Sequence, residues 1–431
     1  MSLPNELGFG GVRALHGRLR LPGDKSISHR ALLFAALATG RSALTNLATG
    51  DDVLATRAAL DALGVGIRTG AEAVTVSGTG LGGWREPEMV LDCGNSGTTM
   101  RVLSGALAGR PFLSVLTGDS SLRQRPMRRV SEPLRAMGAR VDGRADGAFA
   151  PLVIRGGDLH GLRHELPVAS AQVKSALMLA GLQAEGTTEI VSPAISRDHS
   201  ERMLAALGVP VEVEGCTVRV QVGAPEPFQL DVPGDPSSAA FFVVAALITP
   251  GSDLTIESLS LNPTRLGFVD VLRRMGADID IEPSGERCGE PVGELRVRAG
   301  SLVATMIEGD EIPNVQDEIP ALAVAAAFAD GVTEVRDAAE LALKESNRIG
   351  ALHQELSELG LAVETRADGL VIRGGQPRAA LLKSHGDHRM AMALAVAANA
   401  IDGQSTVRGW QAVSSSYPEF ADDLARLTSA S

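Results

Sequence analysis

The sequence predicts an α/β protein of two similar domains, each built from three repeated units of helix, strand, helix and one or more further strands. Two observations carry this. An Ala/Leu-rich helical stretch that ends in glycine and runs into a β-type segment occurs six times, at Gly40, Gly109, Gly186, Gly251, Gly331 and Gly403. Between these, an apolar helix end of the form Leu/Met-Gly leads into an alternating strand at Gly64, Gly138, Gly208, Gly276 and Gly360. Glycine belongs at such ends because a left-handed C-cap carries no Cβ penalty there. The second observation is an echo near half the chain: Leu21-Pro22-Gly23-Asp24-Lys25-Ser26 matches Val232-Pro233-Gly234-Asp235-Pro236-Ser237. One domain then spans residues 23–233. The other spans 1–22 plus 234–431, its first stretch completing it, with a cleft between the two.

Composition bounds the function. With 431 residues and 44% apolar content the chain can form a core for each domain. A formal charge of −12, with 2 Trp, 1 Tyr and 10 Phe, leaves neither a basic surface nor stacking platforms, so no nucleic-acid partner is expected. The longest apolar run, Ala239 to Ile248, falls short of the roughly 18 residues that suggest a membrane span. The opening MSLPNELGFG has no basic n-region or apolar h-region, so no secretory signal is expected. Cys93, Cys216 and Cys288 are odd in number and far apart, which fits a reducing cytoplasm and gives neither a disulfide framework nor a metal site. Lysine is scarce: only Lys25, Lys174, Lys344 and Lys383 occur among 40 basic residues. Three of them fall in polar motifs, where a compact ammonium can do what a guanidinium cannot.

Each unit's first long helix begins in a polar cluster. In order these are GDKSISHR (23–30), CGNSGTTMR (93–101), ASAQVKS (169–175), GDPSSAA (234–240), NVQDEIP (314–320) and GDHRMA (386–391). Helix N-termini present unpaired N–H groups and the positive end of the macrodipole, which suits phosphorylated ligands. Ser, Asp and Asn are also ordinary N-caps, but capping requires none of Lys25, Arg30, Arg101, Lys174 or Arg389. Two further segments stand out. Residues 117–129 hold four arginines at 123–129, read either as a solvated loop paired with carboxylates or as an anion-binding loop. In Lys344-Glu345-Ser346-Asn347-Arg348, i, i+4 spacing predicts Lys344 and Arg348 on one helix face, with Glu345 beside them.

Taken in order, LPGDKSISHR, CGNSGTTMR, RQRP, ASAQVKSA, SRDHSERML, DEIPALAVAAA, LKESNR and GDHRMAM closely resemble the enolpyruvyl transferase family, in particular its phosphoshikimate branch. The resemblance runs from about residue 12 to residue 424. It implies two domains of three βαβαββ-type units, the inside-out α/β barrel of that family. It also implies transfer of the enolpyruvyl group of phosphoenolpyruvate to the 5-hydroxyl of shikimate 3-phosphate, on the route to chorismate and the aromatic amino acids. Neither metal nor organic cofactor is implied, and a cytoplasmic monomer is expected.

Residue by residue, the resemblance assigns Lys25, Ser26, Arg30, Ser170, Gln172, Ser196, Arg197, Asp317 and Lys344 to shikimate 3-phosphate. Lys25, Gly97, Arg125, Gln172, Glu345, Arg348 and Arg389 go to phosphoenolpyruvate. Lys25, Asp317 and Glu345 are the implied catalytic residues, with Asp317 as base and either Lys25 or Glu345 as acid. There are departures. Ala171 stands where some members have a second serine, and Ser415 stands where others have a lysine; Lys174 and Arg197 are candidates to compensate. These features, with ASAQVKSA and SRDHSE, resemble class II members. The sister enzymes acting on UDP-N-acetylglucosamine carry a cysteine in a mobile loop, and residues 117–129 have none. RNA 3′-phosphate cyclases share a related unit, but the net charge disfavours them. A non-catalytic phosphometabolite-binding protein would gain nothing from Asp317 and Glu345.

Overall fold

A computed structural model of the chain describes residues 3–429. It divides into two units: Met1–Pro22 with Pro233–Gly285 and Pro291–Ser431, and Gly23–Val232 with Glu286–Glu290. The second unit thus takes five residues, 286–290, that the sequence reading leaves in the stretch 234–431. They form the turn of a long hairpin of Asp278–Arg287 and Glu290–Arg298, and Glu290 is buried with its carboxylate 2.7 Å from His199 Nδ1.

In the 23–232 unit the helices are α1 (Lys25–Leu37), α2 (Asp51–Ala62), α3 (Gly97–Leu107), α4 (Arg128–Ala136), α5 (Ala171–Gly181) and α6 (His199–Ala206). Beyond their polar N-terminal turns, helices α1, α3 and α5 are apolar on nearly every side, and those stretches are buried. Helices α3 and α5 pack so closely that a Cβ on Gly105 would lie 1.9 Å from the Ala176 carbonyl oxygen, a crossing only glycine permits. Three four-stranded sheets share one order, an edge strand parallel to its neighbour and then an antiparallel hairpin. One of them runs Arg163–Glu165, Thr188–Val191, Thr217–Val220, Val211–Glu214, with Ile190 opposite Val218. Each of two units therefore reads βαβαββ along the chain.

The third sheet of this unit draws its edge strand, Gln229–Asp231, from the end of the segment, where it pairs with Thr39–Thr45. The strand that precedes α1, His16–Arg20, belongs instead to the other unit, parallel to Asp253–Ser260 with Leu19 opposite Ile256. This accounts for the echo in the sequence. Each Pro-Gly-Asp segment carries the chain from a strand in one unit to the first helix of the other.

In the other unit the helices are α7 (Pro236–Ile248), α8 (Gly267–Arg274), α9 (Ile319–Phe328), α10 (Arg348–Glu358), α11 (His388–Asn399) and α12 (Phe420–Ser429). The ten-residue apolar run is the body of α7, which packs with α9 and α11 in one core. The N-terminal strand Glu6–Gly10 pairs antiparallel with Gln404–Arg408, Gly8 opposite Thr406, and fills out the last sheet. Among the described residues no sheet closes on itself, and in each unit three long helices are buried: α1, α3 and α5 in one, α7, α9 and α11 in the other. All eleven marker glycines except Gly109 have positive φ; at Gly109 a Cβ would lie 2.6 Å from Gln183 Oε1, so that side chain would have to move to admit it. No described helix is long and apolar enough to cross a membrane.

Candidate active site

All six polar clusters stand at the starts of α1, α3, α5, α7, α9 and α11. Five are capped by side chains: Asp24 accepts from Ile27 N, Ser96 from Thr99 N, Ser170 from Val173 N, Asp235 from Ser237 N and Asp387 from Arg389 N. At α9 no side-chain cap bond forms. Capping therefore explains the Ser and Asp residues, and the charges beside them require another reason.

In the 23–232 unit, Lys25 opens α1 and its ammonium pairs with Asp52 at 3.0 Å. One turn on, Arg30 is buried. It donates from Nε to Ser200 Oγ at 2.7 Å, from Nη2 to Ser175 Oγ at 2.6 Å and from Nη1 to the Ser26 carbonyl at 2.8 Å. Burial pushes its guanidinium down to about 10, opposed by the charges of Glu201, Asp24 and Glu290 and reinforced by that of Arg197. Gln172, in the first turn of α5, is fixed on both sides, accepting from Arg101 Nη1 at 2.6 Å and donating to Thr98 Oγ1 at 3.0 Å. Arg125 bonds Asn95 Oδ1 at 2.5 Å, so two arginines flank Gly97 at the start of α3. Just before α6, the Ser196 hydroxyl is buried and has no hydrogen-bond partner among the described residues. Lys174 is paired with Glu201 at 2.5 Å, which neutralises it where it stands. Ser415 Oγ donates to the Ala412 carbonyl at 2.9 Å.

In the other unit, charges interleave. Asp317 Oδ1 lies 3.4 Å from Lys344 and 3.5 Å from Arg348, and its Oδ2 lies 3.7 Å from Arg389. Arg389 also donates to the Asp317 carbonyl at 3.0 Å. Glu345 accepts from Arg348 Nη2 at 2.8 Å, and Asp387 accepts from Arg348 Nε at 2.8 Å. Burial works against the charge of Arg348, but Asp387, Glu345 and Asp317 together raise its pKa far above the usual arginine range. Three cations thus meet around the half-buried Asp317 carboxylate, and two further carboxylates, Glu345 and Asp387, hold Arg348 among them.

The i, i+4 helix face expected for Lys344 and Arg348 does not exist. Asn347 caps α10 by accepting from Gly350 N, so the helix starts at Arg348 and Lys344 is in extended backbone. Lys344 and Arg348 still meet, through Asp317. Sequence reasoning passed over Asp52, Thr98, Asn95 and Glu201 as site groups, since each gains its role only from a partner distant along the chain. Arg101 is visible in the motif, but its bond to Gln172 is not.

The sequence model of the EPSP synthase (3-phosphoshikimate 1-carboxyvinyltransferase) family matches residues 10–424. A 3-phosphoshikimate 1-carboxyvinyltransferase from Synechococcus sp. (strain JA-3-3Ab) is 53% identical, covering 96% of this chain and 95% of its own. One from Desulforamulus reducens is 50% identical, covering 97% and 98%. Among solved structures, an EPSP synthase from Acinetobacter baumannii has TM-score 0.88 and 40% identity over 98% of both chains. The enolpyruvyl transferase NikO from Streptomyces tendae, at 20% identity and TM-score 0.78 over 98% and 97%, shares the fold. With motifs, architecture and relatives in agreement over nearly the whole length, the chain belongs to the EPSP synthase family.

Proposed function

We propose that the residues gathered in the two units serve the same two substrates. The enzyme transfers the enolpyruvyl group of phosphoenolpyruvate to the 5-hydroxyl of shikimate 3-phosphate and releases phosphate, a step of the shikimate route to the aromatic amino acids. The observation that carries the division of labour is the Asp317 carboxylate, held among Lys344, Arg348 and Arg389.

The two substrates together bring about −5 to −6 charges, which repel unless cations face them. Lys25, Ser26, Arg30, Ser170, Gln172, Ser196 and Arg197, with Lys344, take shikimate 3-phosphate. Lys25, Gly97, Arg125, Gln172, Glu345, Arg348 and Arg389 take phosphoenolpyruvate. Guanidinium forks match carboxylate and phosphate oxygens in pairs. Asp317 removes the proton of the 5-hydroxyl, whose oxygen bonds to C2 of phosphoenolpyruvate. Lys25 or Glu345 delivers a proton to C3, giving a tetrahedral adduct with a methyl group. Loss of a methyl proton and cleavage of the C2–phosphate bond then yield the enol ether and phosphate.

The reading extends to glyphosate as a competitor of phosphoenolpyruvate beside Gly97, and to a cytoplasmic chain acting as a monomer, supported by both residue sets lying on one chain. Incubation with both substrates is expected to release one phosphate per enol ether formed, and none when either substrate is omitted. Phosphate release independent of shikimate 3-phosphate would overturn the reading.

A further inference from the structure

The Lys174–Glu201 pair has no place in the reaction as described, yet both side chains are almost wholly buried. Two apolar side chains of similar volume would fill the space at no greater cost, because desolvating an ion pair roughly cancels its attraction. Packing alone therefore does not account for it. Its surroundings do. Lys174 lies near the start of α5, two residues after Gln172, and besides its ion pair with Glu201 its ammonium donates to the Ser196 carbonyl at 3.4 Å. Glu201 lies in the first turn of α6, where the helix dipole favours a carboxylate. It follows Ser200, which accepts from Arg30 Nε. The pair thus joins α5 to the start of α6 and grips the backbone of Ser196, whose buried hydroxyl has no hydrogen-bond partner among the described residues.

We propose that Lys174 and Glu201 are positioning residues for the phosphoryl group of shikimate 3-phosphate: they hold the Ser196–Arg197 segment and the Arg30 side chain in the arrangement that receives it. The inference rests on the assignment of Arg30, Ser196 and Arg197 to that substrate. It goes beyond that assignment by naming two residues that touch no substrate and act on one substrate only.

The test compares variants of the full chain by calorimetric titration with shikimate 3-phosphate and by steady-state kinetics. The double variant Lys174→Met/Glu201→Met replaces the pair by an apolar one. Its thermal midpoint is expected at or above that of the parent. Its affinity for shikimate 3-phosphate is expected to fall about tenfold or more, with the KM for phosphoenolpyruvate within about twofold. Lys174→Arg, which keeps the charge and the reach to both partners, is expected to stay within about threefold of the parent in both. A folded double variant with the parent's affinity for shikimate 3-phosphate would reduce the pair to a packing role and overturn the proposal. Should the double variant not fold, Glu201→Asp, which draws the carboxylate back by one methylene, is read in its place. A selective loss of shikimate 3-phosphate affinity supports the proposal and an unchanged affinity overturns it. Arg197→Gln separates the two levels: if it leaves that affinity untouched, the underlying substrate assignment is what fails.

Discussion

Adding one methyl group at Gly97 tests the geometry around the start of α3. A Cβ there would lie 2.8 Å from Arg101 Nη1 and 3.4 Å from Arg125 Nη1. The second contact is tolerable, and the first is not, so the Arg101 tip must retreat by about 0.6 Å to reach ordinary contact. That tip donates to Gln172 Oε1 at 2.6 Å and to the Pro126 carbonyl at 3.3 Å. A retreat of this size stretches the second bond past hydrogen-bonding distance and loosens the first. Losing one hydrogen bond to a charged group costs about 1.5–3 kcal/mol, or roughly 10- to 100-fold in an equilibrium constant. Gly97→Ala is therefore expected to raise the KM for phosphoenolpyruvate by about tenfold, at the lower end of that range. It is expected to raise the glyphosate inhibition constant further, glyphosate being the longer ligand. The assay is phosphate release with glyphosate titrated against phosphoenolpyruvate. In an Arg101→Lys background, where the shorter donor leaves room, the same methyl should have a smaller effect, a non-additivity expected of groups in contact. Equal KM and inhibition constants for parent and Gly97→Ala would refute this reasoning and remove Gly97 from the phosphoenolpyruvate site.

Lys25→Arg keeps the charge beside Asp52 but not the compact ammonium, so turnover should fall at least about a hundredfold, close to 3 kcal/mol, while shikimate 3-phosphate binding weakens much less. Turnover within a few-fold of the parent would leave Glu345 as the proton donor. His29 is buried with its Nδ1 2.7 Å from Thr56 Oγ1, and burial, with the charges of Lys25 and Arg30 adding to it, holds its pKa well below 6.5. The unfolded chain then binds a proton that the folded chain does not, so stability drops as pH falls below about 6.5, with a slope of up to about 1.4 kcal/mol per pH unit from this group. Urea unfolding of His29→Asn should show a flatter pH dependence than the parent between pH 7 and 5, and identical slopes would count against the assignment.

The six helix starts were legible because capping is local: an Asp or Ser sits two or three residues before the N–H it serves, as with Asp24 and Ile27. The α9 start was legible from its apolar run instead, since Glu318 turns its side chain to Ser237 rather than to its own helix. The i, i+4 reading of Lys344 and Arg348 failed on a local signal that was present, because Asn347 is a good N-cap and starts α10 at Arg348, which leaves Lys344 outside the helix. What sequence could not supply were partners joined only by the fold. Asp52 meets Lys25, Glu201 meets Lys174 and Glu290 meets His199 across separations that carry no periodicity. The hairpin turn 286–290 is the same kind of case, since nothing in its residues announces that it belongs to the other unit.

The assignment of chemistry to the Asp317 cluster is tested most directly by two adjacent carboxylates. Asp317 is partly exposed and faces Lys344, Arg348 and Arg389; Glu318 is buried, accepts from Ser237 Oγ and lies 3.9 Å from Arg389. In single-turnover reactions with enzyme in excess, Asp317→Asn is expected to bind shikimate 3-phosphate and to slow product formation by about 10² to 10⁴. Glu318→Gln is expected to lower the thermal midpoint while slowing product formation far less. Parent-like turnover in Asp317→Asn, with the loss falling on Glu318→Gln instead, would contradict the role of Asp317 as the base that takes the hydroxyl proton.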